Sequence, residues 1–189
     1  MEPESITWRL WRRARSGDAE AFDELFGLHT ERLLVFVRAR LGGALREKLD
    51  PEDVLQEAYL AAVRRFDEFE YSDDGAFIRW MCRIIENRLR DGHDHFRAQK
   101  RQAVPVPKSF PTGPVSALVR AEDRRRLEEA LSRLGDEHRA VLLLRYFEGL
   151  DSEQAGQRMG RSAGAIRNLA ARALVELGKQ LRTSEDCSS

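Results

Sequence analysis

Cysteine is nearly missing from this chain: there are two in 189 residues, Cys82 inside an apolar helical stretch and Cys187 in the polar tail. Neither belongs to a Cys-x-x-Cys pair, which excludes a disulfide scaffold and a cysteine zinc knuckle. Long apolar runs are missing as well. No stretch approaches the roughly 20 apolar residues of a membrane span. Arginines break Ile6-Thr-Trp-Arg-Leu-Trp-Arg-Arg-Ala-Arg15 before it could form a signal-peptide core of about 7 to 15 residues. A cytoplasmic protein with no membrane insertion is expected. There is no glycine-rich phosphate loop and no nucleophile paired with a base. Asp91-Gly-His93-Asp94-His95 is the one candidate metal cluster, but residues two apart do not share a helix face and no second cluster supplies further ligands. Catalytic residues, metals and cofactors are therefore all assigned as none.

Net charge is missing too, yet charge is not. Lys+Arg and Asp+Glu stand at 32 each, 34% of the chain, so a uniformly basic nucleic-acid binder is excluded. The balance hides segregation. Between Glu47 and Asp74 acidic residues outnumber basic ones by ten to three, while from Gln154 to Arg182 the ratio is one to six. One part should repel phosphate and another attract it, which suits a protein that touches both DNA and a second macromolecule.

Strand alternation is scarce, and the apolar spacing is helical throughout, so the fold class is all-α. Phe22, Leu25, Phe26, Leu33, Leu34, Phe36 and Val37 recur at helical intervals after Asp18, until Gly42-Gly43 ends the helix. Asp50-Pro51-Glu52-Asp53 combines a capping aspartate, a first-turn proline and acids beside the positive end of the helix dipole. That helix should run to about Phe66, and another from Ala76 through Arg101. Four of the six prolines then fall between Gln102 and Ser116, too dense for a continuing helix. We accordingly expect two small helical domains, residues 1–101 and 118–182, with a proline-rich linker at 102–117 and a disordered tail at 183–189.

The second unit carries the clearest chemistry. Asp151 and Gln154 have the spacing of a capping box, Gly149 and Gly160 stand at turns, and Ser162 can cap the following helix. Along that helix Ile166, Leu169, Ala173, Leu177 and Leu181 make a buried stripe. Gly164, Arg167, Asn168, Ala171 and Arg172 share another face near its start. In a helix-turn-helix, those first turns of the second helix meet base edges in the major groove, where arginine reads guanine and asparagine reads adenine. Arg161 and the amides at Ser162 would hold phosphate.

Two further stretches set the context: Leu49-Asp-Pro-Glu-Asp-Val-Leu-Gln-Glu-Ala-Tyr-Leu-Ala-Ala-Val-Arg-Arg-Phe66 and Phe77-Ile-Arg-Trp-Met-Cys-Arg-Ile-Ile-Glu-Asn-Arg-Leu-Arg-Asp91. Their acidic Asp-x-x-Gln-Glu helix, tryptophan, asparagine and aspartate, in that order, resemble region 2 of bacterial sigma factors, and the helix-turn-helix resembles region 4. With a short linker in place of region 3, the layout resembles the extracytoplasmic-function (ECF) branch of the sigma-70 family. The resemblance implies a subunit that directs promoter-specific transcription initiation by recognising the −10 and −35 elements and assisting melting. Its implied partners are promoter DNA, the RNA polymerase core through the largest subunit's clamp helices and the flap, and an anti-sigma factor.

Carried onto this chain, the resemblance makes Asp53, Gln56 and Glu57 the core-docking residues. It puts a flipped −10 base in a pocket between the loop Tyr71, Ser72, Asp73, Asp74, Gly75 and the helix bearing Asn87. Arg83, Arg88, Arg90, Arg97, Lys100 and Arg101 would follow the DNA backbone. Trp80 reads first as a core residue. The chain departs from the family at Ala165, Asn168 and Leu169, where threonine, serine and arginine are usual, and at Ala155 and Gly156, which are smaller than the usual pair. A helix-turn-helix regulator with an amino-terminal interaction domain is the alternative.

Overall fold

The structure, a computed structural model, describes residues 5–41, 49–95 and 114–186, with side chains for 5–41, 49–90 and 122–182. These residues form eight α-helices and no strand, so the chain is all-α. Arg97, Lys100 and Arg101 lie outside the described residues, as do the proline-rich stretch up to Gly113 and the side chains of the Asp91 to His95 cluster.

Helix α1, Ile6–Arg15, is capped by Ser5, whose hydroxyl accepts the Trp8 N–H at 3.1 Å. Sequence reasoning assigns no structure here, because arginines interrupt the apolar pattern; the helix nonetheless buries Thr7 and Leu10 and packs along α2. Helix α2, Ala19–Arg40, starts at the anticipated cap, with Asp18 accepting the Ala21 N–H at 3.1 Å. Helix α3, Pro51–Arg64, has Asp50 accepting the Glu52 N–H at 2.9 Å and proline as its first residue. A 3₁₀ turn, Phe66–Glu68, leads through a loop to α4, Ala76–His95.

Helix α5 spans Pro114–Arg133, so it starts four residues before the expected boundary. Pro114 opens a helix rather than extending the linker, because at the first helical position its missing N–H leaves nothing unsatisfied. Helix α6, Asp136–Leu142, continues as a π turn over Leu143–Phe147. Helices α7, Ser152–Met159, and α8, Ala163–Asp186, complete the described residues. The backbone of α8 stays helical past 183, where a disordered tail was expected.

Phe77 anchors the first half. It is fully buried and meets Phe22 on α2, Phe69 before the loop and Trp80 one turn on, at ring distances of 6.5, 5.7 and 6.0 Å. Phe66 closes the cluster against Phe22 at 4.9 Å, edge to face. Rings at these separations add about 0.5–1.5 kcal/mol per pair beyond the area they bury.

The two halves meet along α2. Phe36 stacks on Phe147 at 5.7 Å, Arg38 binds Glu128 at 2.8 Å, and Arg124 pairs with Glu31. The side chain of Glu148 is fully buried in this seam, between Arg158 at 3.1 Å and Arg40 at 3.4 Å, and Arg40 also pairs with Glu86 on α4. Burial pushes the Glu148 carboxyl above its usual range and nearby Glu86 adds to that, while the two arginines oppose it. Removing either arginine would leave this buried carboxylate with one partner in place of two, which is why such a network matters more when broken than when made.

His29 packs on Phe77 with ring centroids 5.4 Å apart, and its Nε2 is buried without a hydrogen-bond partner. Burial lowers the imidazole from 6.5 to about 4, helped by Arg32 and opposed by Asp74. The unfolded chain thus takes up this proton below about pH 6.5 and the folded chain only near 4, so stability falls as pH drops through that window. We expect His29→Leu to flatten the urea-derived stability profile between pH 6.5 and 4 relative to the parent, removing up to about 3 kcal/mol of the stability lost across that window.

Candidate polymerase and promoter interfaces

The helix-turn-helix is built as its sequence demands. Asp151 accepts the N–H groups of Glu153 and Gln154, both at 2.8 Å, and the Gln154 side chain accepts the Asp151 N–H at 3.1 Å, completing the capping box. Gly160 ends α7 with φ +65°, a left-handed conformation that costs glycine nothing. The turn then doubles back on α7: the Arg161 N–H donates to the Gly156 carbonyl at 2.9 Å. A Cβ at 156 would stand 2.4 Å from the Arg161 carbonyl oxygen. The small residue noted in the sequence is therefore a requirement of this close approach. Ser162 caps α8 by accepting the Ala165 N–H at 3.2 Å.

Helix α8 buries Ile166, Leu169 and Ala173, with Leu177 and Leu181 half-buried, and exposes Arg167, Asn168, Ala171 and Arg172. Gly164 is half-buried at the start of the same outer face. The Arg172 Nε reaches back to the Asn168 carbonyl at 3.4 Å. Arg161 is exposed but paired with Glu137 on α6, so a phosphate would have to compete for it. The exposed face continues into Leu174 and Val175, which sequence reasoning missed because it followed only the buried stripe.

On α3, Asp53 is exposed, and Gln56 and Glu57 are half-buried on the same face at spacings of three and four. One turn further on, that face carries half-buried Leu60 and exposed Val63. A polar edge beside an apolar patch is the anatomy of a protein-binding surface.

Beside this helix, the loop and α4 enclose an open cavity of about 230 Å³, lined by Phe69, Ser72, Arg79, Trp80 and Arg83, with Glu68, Glu70 and Ala76 completing its wall. Trp80, expected as a core residue, is that and part of the cavity wall as well. It is half-buried, its ring 5.1 Å from Phe69 and 6.3 Å from Phe66, while it also lines the cavity. Asn87 is exposed one turn beyond Arg83 and seven residues beyond Trp80, on the same side of α4 but outside the cavity wall. Arg88 is half-buried, and Arg90 is exposed, 3.8 Å from Glu86.

The loop residues mostly hold the loop itself. Asp73 grips the Arg79 guanidinium with both oxygens, one at 2.9 Å, and accepts the Gly75 N–H at 2.8 Å. Its carboxyl is pulled down to about 2, chiefly by Arg79. Tyr71 donates to Asp74 at 2.6 Å. Ser72 is exposed at the cavity wall. Arg79 was missed in the sequence, although its position four residues before Arg83 puts both on one helix face. Its aliphatic stem also lies against Gly149 of the second half.

One half thus presents an aromatic cavity with both arginines and glutamates in its wall, and the other carries a helix-turn-helix. Comparison with known proteins agrees: residues 28–102 match Sigma-70 region 2 and residues 124–177 match Sigma-70 region 4. The chain is 31% identical over 179 residues to the ECF RNA polymerase sigma factor SigD of Mycobacterium tuberculosis, covering 92% of this chain and 82% of SigD. It is 28% identical over 180 residues to the ECF sigma factor BldN of Streptomyces coelicolor, a match over 91% of this chain but only 64% of BldN. Among solved structures, that of CnrH in complex with the cytosolic domain of CnrY superposes with a TM-score of 0.50 at 23% identity, covering 95% of this chain and 99% of that one, a likeness of fold. The chain belongs to the extracytoplasmic-function branch of the sigma-70 family and functions in transcription initiation. No helix among the described residues is long and apolar enough to cross a membrane, and no group of three or more metal-binding side chains occurs among them.

Gly156→Ala should destabilise the helix-turn-helix by about 1–3 kcal/mol, since the new methyl group meets backbone rather than a movable side chain. Thermal denaturation followed by circular dichroism would register this as a lowered midpoint, and binding to −35 DNA would weaken in parallel.

Proposed function

We propose that this protein joins the RNA polymerase core in the cytoplasm through the Asp53, Gln56 and Glu57 face of α3, reads the −35 element with α8, and captures an unstacked −10 base in the cavity beside α4. The cavity carries the reading. An aromatic wall at Trp80 and Phe69 can stack on a base, and Arg83 at its edge can hold a phosphate of a separated strand, while Arg79, held by Asp73, shapes the loop beside it. Melting needs that combination, because the few kcal/mol spent in unstacking must be returned by new contacts. Arg90, Arg88 and Asn87 extend the track along α4; Arg97, Lys100 and Arg101 extend the proposal beyond the described residues.

The acidic and amide groups of α3 complement a basic surface such as the clamp helices of the polymerase's largest subunit, with Leu60 and Val63 as the apolar part of the contact. The second half would meet the flap, and an anti-sigma factor is the regulator the family implies. The protein supplies recognition, and the polymerase supplies the chemistry. On α8, Arg167 and Asn168 are the base readers, flanked by Ala171 and Arg172. Asn168 stands where the family usually has serine, so the preferred −35 sequence should be this protein's own.

Replacing Asp53 and Glu57 together by alanine should weaken capture of the core polymerase by about threefold to tenfold while the fold stays intact by circular dichroism. Equal retention of both proteins in a pull-down would instead favour a regulator that acts through the helix-turn-helix alone. Arg167→Ala should cost about 1–3 kcal/mol on the cognate −35 duplex and relax selectivity at one base pair. A loss of the same size on every duplex tested would reduce Arg167 to a phosphate contact.

A further inference from the structure

The wall of the cavity is a loop, and a loop that must hold an unstacked base has to keep its shape while empty. One side of it is fastened by α4, through Asp73 and Arg79. The other side is fastened by α1, which lies 54 to 69 residues away in sequence and contributes no residue to the cavity wall. The Arg15 Nη1 donates to the Phe69 carbonyl at 3.0 Å, fixing the residue whose ring lines the cavity and leans on Trp80. The Trp11 ring packs on Tyr71 with centroids 5.7 Å apart. Ser5 donates to the Asp74 carboxylate that Tyr71 also binds, and its oxygen lies 3.2 Å from the Tyr71 hydroxyl. Because Ser5 also caps α1, the start of the helix and the tip of the loop share one hydroxyl.

From these contacts we infer that α1 is the positioning element of the −10 pocket: Ser5, Trp11 and Arg15 hold the loop from Phe69 to Asp74 in its base-receiving shape and thereby set selectivity at the flipped position. This rests on the assignment of the cavity as the base site. Helix α1 itself packs chiefly on α2, and none of the three residues lies on the face of α3 proposed to meet the polymerase. Loosening the brace should therefore leave core affinity alone and act on which base is accepted.

The test uses the full chain with core polymerase on a promoter library with a fixed −35 element and randomised −10 positions, sequencing the run-off transcripts. Ser5→Ala, Tyr71→Phe and Arg15→Gln should each reduce the preference for the favoured base by about fivefold to tenfold, the scale of one lost charge-assisted hydrogen bond. Core affinity should stay unchanged in all three; the melting temperature should hold for Tyr71→Phe and fall for Ser5→Ala, which also loses the α1 cap, and Ser5→Thr should restore both cap and preference by returning the hydroxyl. Trp80→Ala and Arg83→Ala, on the cavity wall, serve as controls. If the controls flatten the preference and the α1 and Tyr71 variants do not, the brace is overturned while the base pocket stands. If the controls leave the preference intact, both are overturned.

Discussion

The ring of Phe77 is the contact on which the first half depends. It sits where α2, the segment after α3 and the start of α4 converge, and it is completely excluded from water. Burying such a ring is worth about 1.5–3 kcal/mol and the cost of losing it is larger, because close-packed neighbours only partly collapse into the gap. Its neighbours have roles of their own. Phe69 and Trp80 touch Phe77 on one side and the cavity on the other, so the energy that packs the core also sets two walls of the proposed base site.

Around that anchor, charge is used in two ways. At the surface, Asp73 and Arg79 shape a loop in which both groups remain near water, where an ion pair contributes little to stability but fixes geometry. In the seam between the halves, Glu148 has no access to water and depends on Arg40 and Arg158 for its charge. The overall balance of acids and bases conceals these local arrangements as thoroughly as it conceals the acidic stretch around α3 and the basic one along α7 and α8.

Much of this was legible in the sequence because it is local. The caps at Asp18, Asp50, Asp151 and Ser162 involve residues two to three positions apart, and each forms as its spacing requires. The outward face of α8 follows from a period of 3.6 residues, which places Arg167, Asn168, Ala171 and Arg172 opposite Ile166, Leu169 and Ala173. What stayed hidden came from distant partners. Helix α1 was obscured by its arginines, one of which turns out to bind a carbonyl 54 residues away. Arg161 reads as a phosphate ligand until Glu137, from another helix, is found beside it.

The sequence by itself determined the all-α class, the capped helix starts at Asp18, Asp50, Asp151 and Ser162, the helix-turn-helix and the family, since each rests on short-range spacing and residue type. Only the tertiary structure decided that Trp80 serves core and cavity together, that Gly156 is small because the Arg161 carbonyl closes over it, and that Tyr71 and Asp74 are tied to Ser5. These depend on which surfaces come within a few ångströms of one another after folding. Helical periodicity says which side of a helix turns inward, and it carries no information about what waits there.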